Sequence, residues 1–79
     1  MVRLSYFGEL REYAGKTEEQ IEAHTLQDVF QFIRSEYGAA AQKAAKRALI
    51  VVNGVRADTL RQQLPDSCTV AFFPLCSGG

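Results

Sequence analysis

The sequence has little of what metal centres and ordinary catalytic sites are built from. Its 79 residues include one histidine and two cysteines, whereas a metal site needs several such ligands at suitable spacing. A serine-type triad would have to use His24, and neither common phosphate-binding glycine loop occurs. The sequence therefore predicts no metal site, no bound cofactor and no catalytic centre of its own.

The chain also lacks an excess of charge of either sign and any long apolar run. Nine Lys and Arg balance nine Asp and Glu, so the basic surplus that binds phosphate backbones is missing and we expect no nucleic-acid partner. Charged residues interrupt the first fifteen positions, and no segment has the length of a membrane span. We expect a cytoplasmic protein without a membrane partner.

Two small groups of residues leave alternatives open. Cys68 and Cys76 would lie roughly 26 Å apart along an extended strand, far beyond disulfide reach, so we expect free thiols. Lys43, Lys46 and Arg47 cluster at helical spacing. Such a cluster is usually a solvated helix face, and the alternative is a docking patch for an acidic partner.

Apolar periodicity predicts one small α+β unit. Thr25 and Asp28 form a capping-box pattern before a helix with a single apolar face that ends at Tyr37,. Residues 9–14 are expected to make about one helical turn, and the alanine-rich segment 39–47 a helical arm or an irregular turn. Strands are predicted at 2–7, 17–23, 48–52, 55–57 and 69–75, with 17–23 at an edge, 48–52 buried on both faces, and the first and last strands in the middle of the sheet.

After the last predicted strand, which includes Pro74, the chain leads to Gly78 and Gly79. Pro74 cannot donate to a strand ladder, so the chain should leave the sheet there as an extended arm. Five residues reach about 16 Å. Glycines without a Cβ could thread a narrow channel and bring a terminal carboxylate to a catalytic centre on another protein. The alternative is a frayed terminus without a function.

Four short motifs stand out along the chain: YFGELREYAG at 6–15, VNG at 52–54, VAFFP at 70–74 and SGG at 77–79. Together they resemble the MoaD/ThiS family of ubiquitin-like sulfur carriers, most closely the small subunits of molybdopterin synthase. The resemblance implies a β-grasp (ubiquitin-like) fold, with a mixed sheet of four to five strands and one main helix packed across it. It also implies a single domain over 1–75 and a flexible C-terminal tail over 76–79.

The resemblance further implies a subunit that is not an enzyme by itself. A ubiquitin-activating-type enzyme would use ATP to adenylate Gly79, and a sulfur donor protein would supply the sulfur of a thiocarboxylate. Gly78 and Ser77 would thread the tail into the large subunit of a heterotetrameric molybdopterin synthase, which holds the catalytic residues. There the sulfur would pass to cyclic pyranopterin monophosphate, in molybdenum cofactor biosynthesis. Phe73, Pro74 and Leu75 would dock and aim the tail.

The sequence departs from the family pattern at Leu75, where a second proline is common, and at Cys76, which we expect to be an ordinary tail residue rather than a sulfur relay. Alternatives remain open at this point. The chain could be a ThiS-type carrier for thiazole or another sulfur metabolite, a ubiquitin-like protein modifier, or a β-grasp interaction module with an inert tail.

Overall fold

Five strands and three helices make up residues 1–75, which are the part of the chain that the computed structural model describes. In chain order the elements are β1 (Val2–Tyr6), α1 (Gly8–Ala14), β2 (Glu18–Ile21), α2 (Leu26–Tyr37), α3 (Ala39–Arg47), β3 (Leu49–Val52), β4 (Val55–Arg56) and β5 (Thr69–Phe73). No helix in this range is both long and apolar enough to cross a membrane.

The strands form one mixed sheet in the order β2, β1, β5, β3, β4. β1 and β5 pair in parallel, and the other neighbours are antiparallel. The predictions that the first and last strands lie in the middle and that β2 lies at an edge are both confirmed. The architecture confirms the predicted α+β, β-grasp fold.

Alternation along the strands decides which sheet face is covered. Val2, Leu4 and Tyr6 of β1, with Val70 and Phe72 of β5, are almost fully buried. They form one core with the apolar face of α2, because successive strand residues point to opposite faces. The residues on the opposite face of these two strands are exposed or half-buried.

The segment 48–52 was predicted to be buried on both faces, and this prediction is wrong. Within β3, Ile50 and Val52 are buried, whereas Leu49 and Val51 are only half-buried. They point to the face that carries no helix, so the strand alternates although its composition is apolar throughout.

The helical content exceeds the prediction. Residues 8–14 form a seven-residue helix rather than one turn. Residues 39–47 are helical, as one of the two predicted alternatives had it, but α3 packs against the domain and is not a free arm. Ala41, Ala44 and Ala45 of α3 are buried, and the Gln42 side chain donates a hydrogen bond to the Phe30 carbonyl at 3.2 Å. Small side chains allow close helix approach, and that packing supplies the stability which a nine-residue helix lacks alone.

The predicted capping box of α2 and the predicted turn at Asn53 and Gly54 are both confirmed. The Thr25 hydroxyl accepts from the Asp28 amide at 3.3 Å, and Asp28 accepts from the Thr25 amide at 3.1 Å, which completes the capping box,. Asn53 (φ +50°) and Gly54 (φ +84°) make the turn between β3 and β4,. The Asn53 side chain also accepts from the Thr69 amide at 2.9 Å and so ties the turn to β5.

Glu19 links the edge strand β2 to the core through hydrogen bonds. It pairs in register with Leu4 and accepts hydrogen bonds from the hydroxyls of Tyr6 (2.5 Å) and Tyr37 (2.6 Å) and from Lys16 (3.4 Å). Burial works to raise the pKa of Glu19, but the two tyrosine hydroxyls and Lys16 hold that pKa below its usual range. Burial and the neighbouring carboxylate raise the pKa of Tyr6 and of Tyr37,.

Candidate functional site

The parallel pairing of β1 and β5 brings two aromatic side chains together at one end of the sheet. Tyr6 pairs with Phe72, so Phe7 and Phe73 follow side by side on the open face. Their rings stack with centroids 4.8 Å apart and planes 11° apart. Both remain substantially exposed, at 40% and 38%, although each is a large apolar side chain.

The apolar surface continues on both sides of this stack. Leu49 of β3 pairs with Phe73 and is half-buried. Pro74 and Leu75 follow Phe73, and Leu75 is 61% exposed. We call Phe7, Leu49, Phe73, Pro74 and Leu75 the exit surface, because the chain leaves the sheet there. A contiguous exposed apolar patch of this kind marks an interaction site more often than a random surface does.

β5 ends at Phe73 rather than running to residue 75 as predicted. Pro74 has no amide hydrogen to donate to the ladder, which accounts for the end of the pairing. Pro74 instead packs against Gly8, the first residue of α1: a Cβ placed on Gly8 would lie 3.0 Å from the Pro74 Cβ. The start of α1 therefore sets the position of Pro74.

Two grooves meet at the exit surface. One, of about 410 Å³, lies beside β3 and the segment that follows β4, and it is mostly apolar. The other, of about 560 Å³, lies between α1 and the end of α3. Lys46, Ala48 and Leu75 line both grooves, so an extended segment of a partner in either groove would contact the beginning of the tail.

Basic side chains flank these grooves. Lys46 lines both, Arg56 lines the first, and Arg47 lines the second. Arg47 pairs with Glu9 at 2.9 Å. In the first groove Lys46 and Arg56 outnumber the single acidic residue, Asp58, so these two cations could meet acidic groups of a partner. Lys43 lines neither groove, so the predicted cluster of three cations splits into two residues beside the exit surface and one on a solvated face.

Cys68 and His24, whose side chains are of types often used in catalysis, lie away from the exit surface. Among residues 1–75 no group of three or more His, Cys, Asp or Glu side chains could hold a metal ion. Cys68 is a buried free thiol just before β5, at the opposite end of that strand from Phe73. Burial raises the pKa of the Cys68 thiol, which disfavours the reactive thiolate. His24 lies at the same far end, beside Met1 and Asp66.

The structure thus brings together three of the predicted site residues, Phe73, Pro74 and Leu75. The other predicted site residues, Ser77, Gly78 and Gly79, lie outside the described residues, as does Cys76. Sequence reasoning missed Phe7, Gly8 and Leu49. The available signal was Phe7 itself, an aromatic residue placed where the alternation of β1 would point it to the open face.

Comparisons with known proteins agree on the fold. The model of the ThiS family matches residues 4–79. A putative molybdopterin converting factor subunit 1 from Pyrococcus furiosus is 25% identical, with TM-score 0.77 over 92% of this chain and 94% of that one. Comparison with curated protein sequences gives no significant match.

Two further solved structures are similar at lower identity. The small archaeal modifier protein 1 from Methanosarcina acetivorans is 24% identical, with TM-score 0.82 over 99% of this chain and 95% of that one. A complex of subunits 1 and 2 of molybdopterin-converting factor from Helicobacter pylori contains a chain that is 20% identical, with TM-score 0.74 over 99% of this chain and 97% of that one.

Proposed function

This chain belongs to the ThiS family, and on that premise we propose that it is a sulfur carrier whose Gly79 carboxylate becomes a thiocarboxylate. The carrier would serve as the small subunit of molybdopterin synthase in molybdenum cofactor biosynthesis. The observation that carries the proposal is the exit surface. It exposes stacked aromatic rings and flanking grooves at the point from which the chain leads to Gly78 and Gly79.

The proposed chemistry uses no side chain of the carrier. A carboxylate is a poor electrophile, so an adenylating partner would first join a Gly79 carboxylate oxygen to the α-phosphorus of ATP and release pyrophosphate. The outer sulfur of a persulfide on a donor protein would then attack the acyl carbon and displace AMP. A thiol would cleave the resulting disulfide bond, so that the donor's inner sulfur ends in a disulfide with that thiol and the carrier is released as a thiocarboxylate. The product has one carboxylate oxygen replaced by sulfur, and the large subunit would transfer that sulfur to cyclic pyranopterin monophosphate.

The exit surface supplies the docking that this scheme needs. Binding the folded domain places the tail in a partner's active site, and most of the rate gain from such placement comes from orientation. The exposed rings of Phe7 and Phe73 are typical anchors at protein interfaces. Ser77, Gly78 and Gly79 would then enter a channel too narrow for larger side chains. The partners would act in the cytoplasm, with the synthase as a heterotetramer.

Intact-mass spectrometry tests the loading step. The chain is incubated with the cognate adenylating enzyme, ATP and a sulfur donor, and the expected result is the mass gain of one oxygen replaced by sulfur. A variant without Gly79 should gain no mass and should unfold at the same denaturant concentration as the parent. The absence of any mass change in the parent chain, with an adenylating enzyme active on its own carrier, would refute sulfur carriage.

A second measurement tests docking. Phe73→Ala should weaken binding to the large subunit by about tenfold or more, as expected for an aromatic anchor. Val55→Ala is the matched control, since Val55 is 70% exposed but lies beside the β3–β4 turn, away from the exit surface. Equal affinities for the two variants would contradict docking through this surface.

One alternative has specific support. Similarity to a small archaeal modifier protein favours a role in which Gly79 forms an amide with a lysine of another protein. The same incubation with added cell extract distinguishes the two roles, because modification produces a ladder of conjugates. Production of a thiazole instead of molybdopterin would identify the ThiS-type carrier.

A further inference from the structure

Gly8 differs from the other glycines of the described chain in what surrounds it. Its backbone has φ +61°, and a Cβ added there would lie 3.0 Å from Pro74 Cβ and 3.1 Å from Pro74 Cγ. Gly15 and Gly54 also have positive φ, at +72° and +84°, but a Cβ at either would meet nothing within 4 Å. Backbone geometry accounts for the glycine at those two positions, whereas Gly8 also provides the space that Pro74 occupies.

The residue before Gly8 reinforces the contact. Phe7 stacks on Phe73 with ring centroids 4.8 Å apart. Phe7 and Gly8, the two residues after β1, therefore contact Phe73 at the end of β5 and Pro74 just beyond it. Pro74 responds to this contact as a rigid unit, because its ring fixes φ near −65°. The direction in which the chain continues after Pro74 therefore depends on where the ring rests.

We propose that Gly8 is a positioning residue that seats Pro74 and thereby aims the segment leading to Gly79. The inference rests on the proposed function, since aiming matters only if Gly79 must reach a partner's catalytic centre. Gly8 itself would contact neither the substrate nor the reacting atoms.

A side chain at Gly8 should misdirect the tail without removing the docking contacts. Ordinary van der Waals contact begins at 3.4 Å, so the Pro74 ring would have to move by a few tenths of an ångström. If the tail is held extended in a partner's channel, a rotation at Pro74 would move Gly79 further than it moves Pro74, because Gly79 can then lie about 16 Å beyond Pro74. A misplacement of about 1 Å can cost about a hundredfold in rate. The exposed faces of Phe7 and Phe73 would remain available to a partner.

The test compares Gly8→Ala with Gly15→Ala in steady-state loading by the adenylating enzyme. Both alanines adopt a positive φ that costs stability, but only the one at position 8 meets Pro74. We expect Gly8→Ala to lower kcat about tenfold or more with little change in KM, and Gly15→Ala to change neither. Circular dichroism at the assay temperature checks that both variants are folded. Equal kinetics for the two variants would overturn the proposal.

A double-mutant cycle provides a second, independent measurement. Pro74→Gly removes the ring that an alanine at position 8 would displace, so Gly8→Ala should cost much less in the Pro74→Gly background than in the parent. If the loss of kcat in the double variant equals the product of the losses in the two single variants, Gly8 acts on something other than Pro74. That result would refute the proposal that Gly8 positions Pro74.

The failure of this inference is distinguishable from failure of the proposed function. If the parent chain, Gly15→Ala and Gly8→Ala all load sulfur equally well, the positioning role of Gly8 is refuted and sulfur carriage stands. If the parent chain does not load sulfur, the proposed function itself is refuted, and the positioning role of Gly8 is refuted with it.

Discussion

Replacing Glu19 by alanine should destabilise the domain by about 2–4 kcal/mol. The hydroxyl of Tyr6, a residue only 1% exposed, would lose its acceptor, and an unsatisfied buried donor costs about 1–3 kcal/mol. Tyr37 is half-buried and its hydroxyl can bond to water instead, so the loss of its hydrogen bond to Glu19 should add about 0.5–1.5 kcal/mol. The exposed Lys16 contributes little. For a chain of this length the total stability is about 4–12 kcal/mol, so the loss should be easy to measure.

Urea unfolding followed by circular dichroism is the appropriate assay. Glu18→Ala is the control, because Glu18 is the exposed neighbour on the same edge strand, and its replacement should change stability by less than about 0.5 kcal/mol. Glu19→Gln keeps a neutral acceptor and should fall between the two. Equal midpoints for Glu18→Ala and Glu19→Ala would refute the reasoning.

The same variants predict a pH dependence with a definite sign. The pKa of Glu19 is lowered in the folded state, so the unfolded chain binds the proton at higher pH. The carboxylate's contribution is therefore complete above the unfolded pKa of about 4.3 and is lost as the pH falls through the folded value. The stability gap between the parent and Glu19→Ala should shrink below about pH 4. A gap that widened with acid would contradict the assignment.

Three further predictions concern the cap of α2, the packing of α3 and the burial of Cys68. Thr25→Ala should cost about 0.5–2 kcal/mol in urea unfolding through the lost helix cap, whereas a gain in stability would contradict the capping geometry. Ala45→Leu should cost about 1–3 kcal/mol because Ala45 is fully buried in α3,, while Ala40→Leu at an exposed position should be nearly neutral. Cys68 is buried, so it should resist alkylation by iodoacetamide in the folded protein and react after unfolding. Rapid labelling of Cys68 in the native protein would contradict the burial of this residue at the start of β5.

The sequence was informative wherever one local pattern decided the outcome. The capping box at Thr25 and the alternation of Val2, Leu4 and Tyr6 depend on neighbours within a few positions, and both predictions are confirmed. The packing of α3 was not predictable in this way. Nine residues with three buried alanines become a stable helix only where other helices approach closely, and composition alone does not reveal that approach.

The candidate site was predictable in part for the same reason. Phe73, Pro74 and Leu75 are consecutive, so a motif could identify them together. Phe7 and Gly8 lie more than sixty residues earlier and reach the site only because β1 and β5 pair in parallel. Strand pairing at that separation is a property of the whole topology and leaves no local trace beyond an aromatic residue where a polar one would be expected.

The central position of β5 has a consequence for how the protein is made. Because the chain emerges from the ribosome in order, β1 with β2 and β3 with β4 are synthesised before the strand that joins them exists. Two small hairpin-like halves are marginally stable in water, and pairing between distant segments is slow. Nascent chains that stall before residue 69 therefore lack the central strand of the sheet. They should remain open to proteolysis, and they carry no Phe73 for a partner to bind.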